Sequence, residues 1–269
     1  MFRPRRIRPE ALSINRMIPN ILTVLALCAG LTSIRFGLQH KWEWAFSSIM
    51  LAAIFDGLDG RIARLLRCTS KFGAELDSLS DFVSFGVAPA MLLYLWTMHN
   101  AGSLGWALVL LYSVCCALRL ARFNTMMGQP DSPPYAYNFF TGVPSPAAAG
   151  LVLLPMVISF EFGEEFFSHP LLVAIFLIGV ALLMVSRIHT FAFKRVRVPR
   201  AYFLLVLLLV GLFAAFLVTA PWITMSLLGV AYLLSIPFGE RAFRKLKAKA
   251  EALQTPITPS PEENPAPLG

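Results

Sequence analysis

Residues 56–81 read DGLDGRIARLLRCTSKFGAELDSLSD, with an apolar run on either side. Asp56 and Asp59 are three apart, and Asp77 and Asp81 are four apart. Each spacing puts its pair on one face of a helix. Two antiparallel helices joined by a short loop therefore bring four carboxylates together. Like charges gathered at the edge of an apolar layer repel, and their burial is costly. One or two divalent cations would offset that cost, and clustered carboxylate oxygens suit Mg²⁺, Mn²⁺ or Ca²⁺. Such a pair of ions is well matched to phosphoryl chemistry, because each stabilises charge developing on an oxygen. The residues between agree with a phosphate ligand. Gly57, Gly60 and Gly73 permit close approach of backbone and ligand. Ala63 keeps the face of Gly60 open, and Arg64 can pair with a phosphate oxygen.

The flanks set the class of protein. Of the 269 residues, 57% are hydrophobic and only 14% charged, with a mean hydropathy of +0.67. Soluble domains carry about 25% charged residues. These values exclude a soluble globular enzyme and a disordered chain, and predict an all-α integral membrane protein. Eight apolar segments are long enough to cross a bilayer: 18–37, 43–63, 76–98, 104–124, 143–160, 170–188, 200–219 and 221–238. About eight transmembrane helices are therefore expected, forming a catalytic domain over 18–238. A basic interfacial arm over 1–17 precedes it. A tail over 239–269 follows, largely disordered after 250, where Pro, Thr and Glu dominate. Cys28, Cys68, Cys115 and Cys116 form no CxxC pair, which argues against a disulfide framework or zinc site.

Eight spans place both termini and the second, fourth and sixth connections on one side. All but Arg35 and Lys41 of the 23 Lys and Arg residues fall there, whereas Glu161, Glu164 and Glu165 fall opposite. The positive-inside rule then makes that side cytoplasmic, in the inner membrane of the cell. Topology thus accounts for the net charge of +8 without a nucleic-acid partner. The basic face would attract membrane lipid headgroups.

The pattern Asp59-Gly60-x2-Ala63-Arg64-x8-Gly73-x3-Asp77-x3-Asp81, led by Asp56, resembles without departure the signature of the CDP-alcohol phosphotransferases. The resemblance implies a helical bundle of that family, Mg²⁺ or Mn²⁺ dependence and a homodimer. It implies that Asp56, Asp59, Asp77 and Asp81 border the metals and that Asp81 is also the general base. Gly60, Ala63, Arg64 and Gly73 would contact the CDP group, with Asn20 and Thr23 from the first span beside them. A hydroxyl would attack the β-phosphorus of a CDP-linked lipid, releasing CMP.

Softer stretches bear on the acceptor alcohol. Residues 19–23 (PNILT), 119–124 (RLARFN), 140–149 (FTGVPSPAAA) and 184–194 (MVSRIHTFAFK) are similar to the membrane-integrated phosphatidylserine synthases of that family. The partners so implied are CDP-diacylglycerol and L-serine. A serine carboxylate needs a cation near the metals, for which Arg119, Arg122, Arg187 and Lys194 are candidates. Asn124 and Ser145 would line the same pocket. Ser145, between Pro144 and Pro146, also reads simply as a helix start. Two rivals remain at this stage. The first is the same chemistry with glycerol 3-phosphate, choline or an inositol phosphate. The second is a cation transporter, although transporter sites sit near the bilayer midplane and commonly lie between internal repeats, which this chain lacks.

Overall fold

The computed structural model describes residues 17–66, 68, 70–126, 139–186, 188–191 and 202–254. The arm over 1–16, the tail beyond 254, Arg187 and Lys194 lie outside these residues. Each of the eight apolar segments is helical over most of its described residues. The helices are α1 (Ile18–Leu38), α2 (Trp42–Leu65), α3 (Lys71–Trp96), α4 (Gly102–Met126), α5 (Ser145–Val152), α6 (Leu154–Phe162), α7 (Glu164–Phe167), α8 (Pro170–Val185), α9 (Phe203–Thr219) and α10 (Pro221–Gln254). A short 3₁₀ turn, Met98–Ala101, joins α3 to α4.

By length and composition α1, α3, α4 and the Pro221–Arg244 part of α10 each qualify to cross a membrane. The α5–α6 pair, bent by 40°, makes a fifth. The bend falls at Leu153, where Pro155, in the first turn of α6, has no amide to continue the bonding of α5. At 16 and 17 residues, α8 and α9 are shorter. Apart from Glu43 in its first turn, the acidic and basic residues of α2 gather at its end, at Asp56, Asp59, Arg61 and Arg64.

The core forms where α1 lies along α2 and crosses α3, while α4 packs against α3 and α8. Polar side chains direct this packing. Ser80 and Ser84 of α3 donate to the carbonyls of Thr23 and Ala26 in α1, at 3.1 and 3.2 Å. Gly30 lets the two backbones meet, since a Cβ there would lie 2.8 Å from the Ser84 Cα. Immediately after Asp81 the helix widens into a π turn over Phe82–Val87. Insertions of this kind cluster at functional sites. The buried Tyr112 hydroxyl donates to the Phe85 carbonyl in this turn at 3.0 Å.

The fold is all-α, as the sequence predicts, with one small addition among the described residues: two three-residue strands, β1 (Phe139–Thr141) and β2 (His189–Phe191). They pair antiparallel with Phe140 opposite Thr190. Gly142 then donates to the Ile188 carbonyl at 2.8 Å with φ of +78°, a left-handed conformation suited to glycine. The ribbon joins the connection before α5 to the connection after α8.

Candidate active site

The four aspartates meet where α2 ends and α3 begins. Ser70 starts α3, its Oγ accepting from the Gly73 amide at 2.9 Å. This cap fixes the angle at which α3 leaves the turn. Asp56, Asp59 and Asp77 each offer a carboxylate oxygen within 4.8 Å of the others. Asp81, one turn beyond Asp77, has its carboxyl within hydrogen-bonding reach of Asp56. Asp59 is buried at 5% exposure and is held by Thr23 of α1, whose Oγ1 donates to Oδ2 at 2.6 Å.

This donor set suits a hard divalent cation. It is all oxygen, and no His or Cys belongs to the cluster. Asp56, Asp59 and Asp77 are thus the residues that could hold such an ion.

The flanking residues divide into two kinds. A Cβ at Gly57 or Gly60 would meet nothing within 4 Å, so the space beside Asp59 is open. Ala63 is half-buried and Arg64 exposed on the following turn. At Gly73 the opposite holds. A Cβ there would lie 2.9 Å from Asn20 Oδ1, so glycine is what admits Asn20 to the site.

On the Asp56–Asp81 side stands Arg119 of α4, close enough to act electrostatically on both carboxylates. Its Nη1 donates to Oγ of the fully buried Ser145, the first residue of α5. Cys116 Sγ, one turn earlier, also points at Ser145 Oγ, at 3.7 Å. Asn124 Nδ2 donates to Ser78 Oγ at 2.9 Å, next to Asp77. Arg122 instead turns away, with Nη1 3.5 Å from the Val185 carbonyl. The structure thus gathers Asn20, Thr23, Asn124, Ser145 and Arg119 around the aspartates and leaves Arg122 at the rim.

Sequence reasoning missed Ser78, Ser80 and Cys116. A clue to the first two was present in the recurrence of small hydroxyl residues through the polar start of α3. An apolar cavity of about 450 Å³ opens one turn from Asp56, between Met50 and Ala53 of α2, Pro146 and Leu151 of α5, and Tyr232 of α10.

An acidic cluster that could hold a metal thus lies among helices apolar enough to cross a membrane. Residues 16–237 match the family model for CDP-alcohol phosphatidyltransferase, and the chain belongs to that family. Its relatives are more particular. It is 42% identical to a CDP-diacylglycerol–serine O-phosphatidyltransferase of Mycobacterium leprae over 250 residues, covering 93% of this chain and 82% of that protein. The protein of the same name from Helicobacter pylori is 39% identical over 198 residues, 73% of this chain and 81% of its own length. That of Bacillus subtilis is 36% identical over 178 residues, 66% of this chain and 92% of its own.

Proposed function

We propose that this protein transfers the phosphatidyl group of CDP-diacylglycerol to the hydroxyl of L-serine, giving phosphatidylserine and CMP. The observation that carries the reading is the convergence of Asp56, Asp59 and Asp77 within ligand distance of one another, with Asp81 against Asp56. The names and coverage of the relatives support serine as acceptor.

Asp56, Asp59 and Asp77 would hold Mg²⁺ or Mn²⁺, which supplies neutralisation of the charge on the diphosphate oxygens. The residues of the chain do the rest. Thr23 holds Asp59 in place through its hydroxyl. Gly57 and Gly60 leave room for the CDP group beside the cluster, with Ala63, Arg64, Gly73 and Asn20 around it. The apolar cavity next to Ala53 receives an acyl chain. Asp81 takes the proton from the serine hydroxyl as its oxygen bonds to the β-phosphorus. The bond from that phosphorus to the bridging oxygen breaks, and its electron pair leaves with CMP. The aspartates face the cytoplasm, both termini lie there, all eight apolar helices cross the inner membrane, and two copies form a homodimer.

The test is CMP release by purified protein with CDP-diacylglycerol, Mn²⁺ or Mg²⁺, and one acceptor at a time. Release with L-serine, abolished by chelation, is expected. Release only with glycerol 3-phosphate, choline or inositol 1-phosphate would replace the acceptor. Metal uptake into vesicles without CMP release would replace the reaction with transport.

A further inference from the structure

Arg119 is an expensive residue to place here. Its Nε–H is buried and has no hydrogen-bond partner among the described residues, while Nη1 is spent on a neutral hydroxyl, Ser145 Oγ. Buried N–H groups almost always find an acceptor, and a buried cation is destabilising without one. The unused donor lies in a particular place. On α4, Arg119 lies between Tyr112, bonded to the Phe85 carbonyl, and Asn124, bonded to Ser78, which sets it level with Asp81 of α3. It therefore stands beside the residue proposed as base for the acceptor hydroxyl.

We infer that Arg119 is the anchor for the carboxylate of the acceptor and the residue that selects an amino-acid alcohol. The inference rests on the proposed transfer to L-serine. In serine the hydroxyl and the carboxylate sit on adjacent carbons. A base for one and a cation for the other must then be neighbours, as Asp81 and Arg119 are. The planar guanidinium edge gives a carboxylate two parallel donors, which an ammonium cannot reproduce. Arg122, by contrast, is turned to the Val185 carbonyl at the rim. Ser145 and Cys116 touch no substrate in this scheme. Ser145 is a positioning residue, holding the Arg119 guanidinium through Nη1.

The experiment compares the full-length protein with Arg119→Gln, Arg119→Lys and Ser145→Ala in detergent, using CDP-diacylglycerol, Mn²⁺ and either L-serine or L-serinamide, whose carboxylate is neutralised. For Arg119→Gln the KM for serine should rise about 10- to 100-fold, the worth of a charged hydrogen bond. The KM for CDP-diacylglycerol and thermal stabilisation by CDP with Mn²⁺ should hold, and the preference for serine over serinamide should collapse. Arg119→Lys should restore only part of that preference. Ser145→Ala should raise the serine KM in the same direction but less, which keeps the inference testable if Arg119→Gln does not fold. A parallel rise in the CDP-diacylglycerol KM, or an undiminished preference for serine, would overturn it. Calorimetric binding of L-serine to the CDP- and Mn²⁺-loaded protein separates the two readings. Absent turnover by the unmutated protein would sink the transfer reaction. Loss of serine binding in Arg119→Gln would still support the anchor, and retained binding would refute it.

Discussion

The Thr23 hydroxyl of α1 is bonded to Asp59 of α2 at 2.6 Å, and the Thr23 carbonyl accepts from Ser80 of α3 at 3.1 Å. One residue thus ties together both helices that carry the aspartates. Its side chain orients a carboxylate while its backbone sets the distance to α3. Partners that orient metal-ligating carboxylates commonly change metal affinity 10- to 100-fold when removed.

For Thr23→Val, which keeps the shape and removes the donor, the Mn²⁺ concentration for half-maximal CMP release should rise about tenfold or more. Saturating metal should recover most of the rate. A metal titration of turnover checks this, and an unchanged midpoint would mean that Asp59 is held by the helix alone.

Gly60→Ala separates folding from binding. The added methyl meets no protein atom within 4 Å, and alanine favours the helix by about 1 kcal/mol over glycine. The variant should melt no lower than the parent, yet its KM for CDP-diacylglycerol should rise. A lowered melting temperature would show that the residue serves packing.

Gly73→Ala should act through Asn20. The new Cβ would stand 2.9 Å from Asn20 Oδ1 and 3.1 Å from the capping Ser70 Oγ. Activity should fall, and the double variant with Asn20→Ala should be little worse than Asn20→Ala by itself, because residues in contact are not additive. Additive losses would separate the two positions.

Tyr112→Phe removes the only side-chain donor bonded to the Phe85 carbonyl among the described residues. Losing that buried hydrogen bond should cost about 0.5–1.5 kcal/mol. Thermal unfolding would report it. A loss of turnover with unchanged stability would show instead that the π turn sets the position of Asp81.

Much of the bundle was legible because local periodicity carried it. The α2–α3 hairpin and its aspartates follow from spacings of three and four, and the eight apolar segments follow from hydropathy. Boundaries suffered where polarity and helix diverge. The third segment was placed from residue 76, yet α3 starts at Lys71, because its first turns are polar and are stabilised by the Ser70 cap. The last was ended at 238, yet α10 runs through Pro237 to Gln254, supported by the Arg244–Glu240 pair at 2.9 Å. The ribbon and the Arg119–Ser145 contact were illegible for a different reason. Each joins residues far apart in sequence, and three-residue strands leave no alternation to read. Pro155 did mark the bend between α5 and α6, but a hydropathy count does not register it.

The β1–β2 ribbon has a topological consequence. It brings residues 139–141 against 189–191, so the chain leaves and re-enters the site end of the bundle at one point. Everything between, α5 through α8, is a closed excursion with a hydrogen-bonded neck. Ser145 sits just inside that neck and, among the described residues of the excursion, is the one that meets Arg119 by hydrogen bond. The excursion is thus a cassette. Chimeras cut at the neck would exchange it whole with a relative while preserving the Ser145 contact, whereas cuts within α5 would divide that contact from the scaffold behind it.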